Sequence, residues 1–172
     1  WFTHTPGLKV IYPAFPFDAK GLLISAINDP NPIMFFEHKA LYRSINEDIP
    51  DGYYTQELGK ACLVKEGTNL SVITYGMGVH WGLETLNNMS ISADLIDLRT
   101  LVPLDKELVF SSVRKTGKVI VLHEDCITGG YGADIVALIA ENCFEYLDAP
   151  VMRCGSLDTP VPFANKLEQN FL

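Results

Sequence analysis

Three observations predict an α/β protein built on a largely parallel sheet. Short apolar runs alternate with stretches whose apolar residues recur at helical spacing. Most of the gaps between apolar runs are long enough to hold a crossover helix, which parallel neighbours require. Glycine-containing turns fall where a strand gives way to a helix. The expected architecture has three layers. A mostly parallel sheet with one antiparallel edge strand is covered on both faces, and a β-α-β remnant of another unit precedes it.

The elements follow in order. Residues 8–12 read as a buried strand closed by Pro13, and residues 18–27 place Ala19, Leu22, Leu23, Ala26 and Ile27 on one helical face. Asn28, Asp29, Pro30, Asn31 and Pro32 stop that helix, and residues 32–36 resume as an apolar strand. Residues 37–56 carry His38, Arg43, Glu47, Asp48, Pro50, Asp51 and Gly52 without periodicity and read as an exposed connection. Beyond it come strands at 61–64 and 70–75, a helix at 79–87, a strand at 93–98 and a helix at 105–115. A strand at 119–122, a helix at 133–142, a strand at 151–153 and a helix-prone 165–171 complete the series. Residues 65–69 are too few for a crossover helix, so strands 61–64 and 70–75 are expected to pair antiparallel at a sheet edge.

The 172 residues carry 13 basic and 21 acidic side chains, a net charge of -8. With no basic cluster, a phosphate backbone or an anionic lipid surface is a poor partner, because each needs cations to replace released counterions. A membrane-spanning helix needs about 20 apolar residues, and runs such as 119–122 fall far short. Neither nucleic acid nor membrane is expected. Cys62, Cys126, Cys143 and Cys154 lie far apart with no Cys-x-x-Cys pair, which argues against a zinc cluster and for reduced, mostly buried thiols. The chain opens on Trp1 with no leader-like segment, as a piece of something longer would.

Four places could carry chemistry. Gly76-Met-Gly78 sits at a strand-to-helix turn, but Trp81 occupies the third position of a dinucleotide fingerprint and Gly82 follows it, so a tight turn is the better reading. Gly129-Gly-Tyr-Gly132 follows His123, Glu124 and Asp125 at a strand end, where open sheets collect ligands. It could bind a cation, a backbone segment or a partner, or it could merely let a helix pack closely. His80 and His123 each stand alone, the pattern of a hydrogen-bonded structural histidine. Ala26 to Asn31 is a helix end whose carbonyls and polar side chains suit a hard cation or, more simply, an Asx-turn cap. No catalytic triad, paired carboxylates or His-Glu-x-x-His motif is present.

Several motifs together resemble one family. In order they are Pro6-Gly-Leu-Lys-Val10, Asp18-Ala-Lys-Gly-Leu22, Asn31-Pro32 with Glu37 and Tyr42, and Leu98-Arg-Thr-Leu-Val-Pro-Leu104. Gly129 to Ala133, Leu147-Asp-Ala-Pro150, and Asp158-Thr-Pro-Val-Pro-Phe163 with Leu167 and Glu168 continue the series. They resemble the β subunit of the thiamine-diphosphate-dependent 2-oxoacid dehydrogenases, from end to end of the chain. The resemblance implies that residues 1–40 are the tail of a pyrimidine-binding domain, 41–55 a linker, and 56–172 a transketolase C-terminal domain.

It further implies oxidative decarboxylation of a 2-oxoacid with acyl transfer to lipoyllysine, using thiamine diphosphate and magnesium. The family's catalytic glutamate and histidine lie upstream of Trp1, so no catalytic or cofactor-binding residue is assigned here and the isolated piece is expected to be inert. A potassium site is implied at Ala26, Ile27, Asp29 and Asn31. Implied partners are an α subunit or fused α half, a second β copy, and the basic peripheral subunit-binding domain of the dihydrolipoyl acyltransferase, docked at Asp148. Gly155-Ser-Leu-Asp-Thr-Pro160 looks more like the 2-oxoisovalerate than the pyruvate type. Such an enzyme is cytoplasmic in a bacterium and mitochondrial in a eukaryote. The alternatives are the C-terminal half of a transketolase or deoxyxylulose-phosphate synthase, or a non-catalytic assembly module. With most of its sheet missing, the segment 1–40 is expected to be mobile or to dock on a neighbouring copy.

Overall fold

The computed structural model describes residues 1–168. Strand β1 (Lys9–Ile11) leads to helix α1 (Pro16–Asn28), which starts on a proline, the residue whose fixed φ suits a first helical turn. Strand β2 (Ile33–Phe35) pairs parallel with β1, giving the expected β-α-β unit. A one-turn helix α2 (Leu41–Ser44) lies inside the connection. Then follow β3 (Cys62–Lys65), β4 (Leu70–Thr74), α3 (Met77–Met89), β5 (Ala93–Asp97), β6 (Thr100–Val102), α4 (Lys106–Thr116) and β7 (Val119–Cys126). Helix α5 (Gly132–Cys143), a 3-10 turn at Phe144–Tyr146, β8 (Met152–Ser156) and α6 (Asn165–Glu168) complete the described chain. Of the predicted final helix, residues 169–171 lie outside the described residues.

The main sheet runs β3-β5-β4-β7-β8 and is parallel except for β3. Its strands alternate between two cores. Ile73, Ile96 and Val121 face α4 and α5 and pack with Val109, Val113, Ile135 and Ile139. Val72 and Leu95 face α3 and pack with Val79 and Leu86. A strand buried on both faces reads as a continuous apolar run, which is what the sequence shows at these positions.

Two expectations about pairing need correction. The edge strand β3 is antiparallel, but its partner is β5, with Cys62 opposite Asp97, and not β4. The connecting loop passes over the start of β5: Gly67 donates to Asp94 Oδ1 at 2.9 Å, and a Cβ at Gly67 would lie 2.1 Å from the Ala93 nitrogen. Five residues easily span the roughly 10 Å of two strand spacings, so loop length alone did not require neighbours. The second correction concerns residues 1–40, which lie against the rest of this same chain. Strand β6, not predicted, pairs antiparallel with β1, and the Tyr12 N–H donates to the Arg99 carbonyl at 2.7 Å.

Arg99 fastens the seam. It is a non-glycine residue at φ 53, and Asp97 Oδ1 accepts its N–H at 3.0 Å. Its guanidinium reaches Asp18 Oδ1 on α1 at 2.8 Å and the carbonyls of Lys60 and Ala61 at 3.1 Å, so one side chain joins α1, the end of the connection and β5. The connection itself lies along α1: the Phe17 and Tyr54 rings stack at 4.7 Å, and Gln56 donates to the Gly21 carbonyl. A Cβ at Gly21 would meet Gln56 at 2.6 Å, so glycine there permits the approach.

All four cysteines are free, but only Cys143 is buried. Cys62 and Cys126 are half-buried and Cys154 is exposed on β8, contrary to the expectation of mostly buried thiols. Among the described residues no helix is long and apolar enough to cross a membrane.

Candidate binding site at the carboxyl end of the sheet

Parallel strands deliver their loops to one end of the sheet, where ligands of open α/β folds sit. Here the carboxyl ends of β4, β7 and β8 border a cavity of about 800 Å³, walled on its other side by residues next to β1 and β2. Tyr12, Phe36, Tyr75 and Tyr131 line it with Glu124 and Asp125. The phenols are held neutral. Burial pushes Tyr12 up to about 12, helped by Glu124, and pushes Tyr131 up to about 12, helped by Asp134. Tyr75 is raised further by burial and by Asp125. Tyr131 donates to the Leu101 carbonyl at 2.6 Å.

Beneath this wall lies His123, 1% exposed. Three glycines enclose its ring: a Cβ at Gly130, Gly132 or Gly155 would come within 2.9, 2.4 and 2.7 Å of it. The glycine loop therefore serves close packing, as one of the two open readings held. The expected hydrogen-bonded histidine is not found, since neither ring nitrogen has a hydrogen-bond partner. Burial lowers its pKa against the opposing influence of Asp125, so the ring is neutral. Ser156 Oγ, on β8, is also buried without a partner. The signal that could have found this nest was the coincidence of small residues around one strand-end histidine, but the third glycine comes from a different strand.

His80 and His38 have partners. His80 Nε2 lies 2.8 Å from the Ala14 carbonyl, with Phe15 edge-on to its ring. His38 Nε2 lies 3.0 Å from Glu124 Oε1 and links the connection to β7. At the Gly76 turn, φ is 55 and a Cβ would meet the Tyr12 ring at 2.9 Å, while one at Gly78 would meet Thr74 Oγ1 at 2.1 Å. Side chains fill the space a diphosphate would need, so this turn does not fit the phosphate end of thiamine diphosphate. Among the described residues no three His, Cys, Asp or Glu cluster as metal ligands.

At the end of α1 the structure brings Ala26, Asp29 and Asn31 together. The Asp29 N–H caps the Ala26 carbonyl at 3.4 Å, and Asp29 Oδ1 accepts from both the backbone and the side-chain N–H of Asn31 at 2.9 Å. Asp29 Oδ2 holds the Lys9 ammonium. Hydrogen bonds from Lys9 and Asn31 keep this carboxyl well below its usual range. Ile27 is exposed. Lys9 therefore balances the carboxylate, and the Ala26 carbonyl and Asp29 Oδ1 each already accept a hydrogen bond. Asp148, exposed, lies at the end of α4: its N–H donates to the Gly117 carbonyl at 2.8 Å. Nearby, Arg114 lies over the Phe110 and Tyr146 rings and Phe144 is 78% exposed.

A doubly covered sheet, parallel but for one antiparallel edge strand, with a glycine-lined carboxyl end, defines an α/β domain of the open-sheet class. The chain belongs to the transketolase C-terminal domain family: "Transketolase, C-terminal domain" matches residues 59–172, and "Transketolase, pyrimidine binding domain" matches residues 1–45. The mitochondrial 2-oxoisovalerate dehydrogenase subunit beta 2 of Arabidopsis thaliana is 47% identical over 94% of this chain and 46% of its own length. In Bacillus subtilis, 2-oxoisovalerate dehydrogenase subunit beta is 43% identical over 99% of this chain and 54% of its own length. The pyruvate dehydrogenase E1 component subunit beta of the same species is 48% identical over 92% and 50%. The chain thus spans about half the length of the curated relatives it matches. A solved split-gene transketolase, described as an inactive beta4 tetramer, superposes with a TM-score of 0.77 at 24% identity, covering 99% of this chain and 54% of that one; this shows the fold.

Proposed function

We propose that this chain is the C-terminal part of the β subunit, or β half of a fused chain, of a 2-oxoacid dehydrogenase, acting on 2-oxoisovalerate in preference to pyruvate. The observation that supports a 2-oxoacid dehydrogenase parent is the 43–48% identity to β subunits of both the 2-oxoisovalerate and the pyruvate type along nearly the whole chain, and the choice of 2-oxoisovalerate rests on Gly155-Ser-Leu-Asp-Thr-Pro160. The parent reaction is oxidative decarboxylation with acyl transfer to lipoyllysine, using thiamine diphosphate and magnesium that residues outside this chain hold. Within the chain, residues 1–40 belong to the pyrimidine-binding domain, 41–55 link, and 56–172 form the C-terminal domain. Ala26, Ile27, Asp29 and Asn31 offer oxygens to potassium, and a melting temperature that rises in potassium but not in choline chloride checks this. The partners are an α subunit or α half, a second β copy, and the basic peripheral subunit-binding domain of the acyltransferase at Asp148, a choice the net charge of -8 favours. The compartment follows the organism, cytoplasm in a bacterium and mitochondrial matrix in a eukaryote.

The test joins this chain to a β-subunit upstream segment and an α subunit, then measures carbon dioxide release from 2-oxoisovalerate and from pyruvate. Turnover of 2-oxoisovalerate faster than pyruvate is expected. Turnover of ketose phosphates and of neither 2-oxoacid would favour a transketolase-type parent.

A further inference from the structure

A second cavity, of about 430 Å³, lies between α1 and the start of the connection that follows β2. Phe15, Pro16 and Ala19 at the start of α1 form one wall, and Leu41 and Ile45 of the α2 turn form the other. Leu41 and Ile45 stand four residues apart on one side of that turn, and the Ile45 N–H donates to the Leu41 carbonyl at 3.3 Å. Both are half-buried, and neither belongs to the two cores of the main sheet, so the turn gives its apolar side to the groove and not to the interior.

The rim of the groove is acidic. Glu37, before α2, and Glu47, after it, line the groove and are exposed, and no Lys or Arg lines it. The Tyr42 hydroxyl donates to Glu37 Oε2 at 2.7 Å, and Glu47 Oε2 accepts the Phe17 N–H at 3.0 Å. Both donors are neutral, and among the described residues neither carboxylate enters an ion pair. Lys20, on the neighbouring turn of α1, is engaged by the Pro50 carbonyl and the Tyr54 ring. Such a trough repels phosphates and anionic lipids, and its complement is a pair of cations joined through apolar groups.

We propose that this groove docks a basic polypeptide segment, whose aliphatic side chains fill the trough between α1 and α2 and whose flanking Lys or Arg side chains meet Glu37 and Glu47. The net charge of -8 draws a partner of that kind toward the chain. The surface is separate from that at Asp148, which follows the 3-10 turn and bonds to Gly117 at the end of α4. The inference does not depend on the parent reaction.

The test is a calorimetric titration of the intact protein with the blocked peptide Lys-Leu-Leu-Lys and with the analogues Glu-Leu-Leu-Glu and Lys-Gly-Gly-Lys. The first is expected to bind saturably and about tenfold more tightly than either analogue, the scale of like-charge rejection at the rim and of a buried leucine in the trough. Glu37→Gln combined with Glu47→Gln keeps the oxygens that accept from Tyr42 and Phe17, and is expected to weaken binding about fivefold and to remove most of its salt dependence. Leu41→Ala combined with Ile45→Ala should weaken it about tenfold. The carboxamide pair, at exposed positions, carries the test should the alanine pair not fold. Asp148→Ala should leave the affinity unchanged, and a loss there would move the peptide to that other surface and overturn the inference. Equal affinity for the three peptides, no saturable binding, or affinity unchanged in the carboxamide pair would overturn it. So would hexylammonium binding as tightly as the peptide, which would give the groove to a small organic cation, or a dimer that Ile45→Ala dissolves and the peptide competes away, which would give it to a second copy.

Discussion

The two ends of the five-stranded sheet carry buried polar groups in opposite states. At the amino end, Asp94 is 1% exposed and fully engaged: Lys115 Nζ and the Gly67 N–H meet one oxygen at 2.7 and 2.9 Å, and Ser112 Oγ meets the other at 2.7 Å. Ser71 extends the network to Ser112 and Thr116 at 2.6 and 2.7 Å. At the carboxyl end, Thr74 Oγ1, Asp97 Oδ2, both nitrogens of His123 and Ser156 Oγ are buried without a partner. Since a buried polar network is worth having only when every member is satisfied, the amino end is built for stability. The carboxyl end, where the fold class places ligands, has no comparable side-chain network among the described residues.

The largest expected break is at the amino end. Asp94→Ala leaves Lys115, Ser112 and Gly67 without their acceptor and is expected to cost about 3–5 kcal/mol of unfolding free energy in urea. A loss below about 1 kcal/mol would erase the contrast between the two ends. Burial alone would raise the Asp94 pKa, but hydrogen bonds from Lys115, Ser112 and Gly67 overcome it and lower the value. A folded-state pKa below the unfolded one means that the stabilisation is complete at neutral pH and is lost as pH falls through the lowered value. The wild type and Asp94→Asn should therefore converge in acid.

The glycine nest comes next. Gly132→Ala puts a Cβ against the rigid His123 ring and is expected to cost roughly 2–3 kcal/mol by overpacking. Because the clash is with that ring, a double-mutant cycle with His123→Ala should recover most of the loss. Additive losses would show that the glycine serves backbone conformation instead.

Asp97 gives a smaller effect of opposite pH sign to that of Asp94. Burial pushes its pKa up to about 7, partly opposed by the Arg99 N–H. Its folded pKa exceeds its unfolded one, so its contribution is complete in acid and is lost as pH rises from the ordinary carboxylate range through about 7. Asp97→Asn keeps the acceptor for Arg99 and removes the titration. Relative to the wild type it should gain on the order of 2 kcal/mol between pH 5 and pH 8, with no further change above. A constant difference between the two proteins would contradict the protonated, buried acid. The smallest effect is at exposed Asp148: Asp148→Ala should weaken docking of the basic binding domain about threefold at low salt and hardly at all at moderate salt. Equal affinity at low salt would remove Asp148 from that surface.

The alternation of strands and helices was legible because the central strands β4, β5 and β7 place apolar residues on both faces and the helices between them have one apolar side. Strand β6 was not, because it begins one residue after Arg99, which reverses the chain in the left-handed region without the glycine that normally signals such a corner. The pairing of β3 with β5 was hidden because five loop residues suit either neighbour, and the contact of Gly67 with Ala93 decides between them. At the site, the Gly129–Gly132 loop and its acidic neighbours stood out in the sequence. What they enclose did not, since the nest joins Gly130 and Gly132 to Gly155 on β8, and the cavity wall joins Tyr75 to Tyr12 and Phe36 across the seam. Contacts between residues dozens of positions apart leave no periodic trace.

The most direct test of the functional reading is a calorimetric titration of this chain with a purified peripheral subunit-binding domain at low and moderate salt. Saturable binding that weakens as salt rises, and that Asp148→Ala diminishes, is the predicted result. Absence of binding by a folded, dimeric form of the chain would contradict the reading.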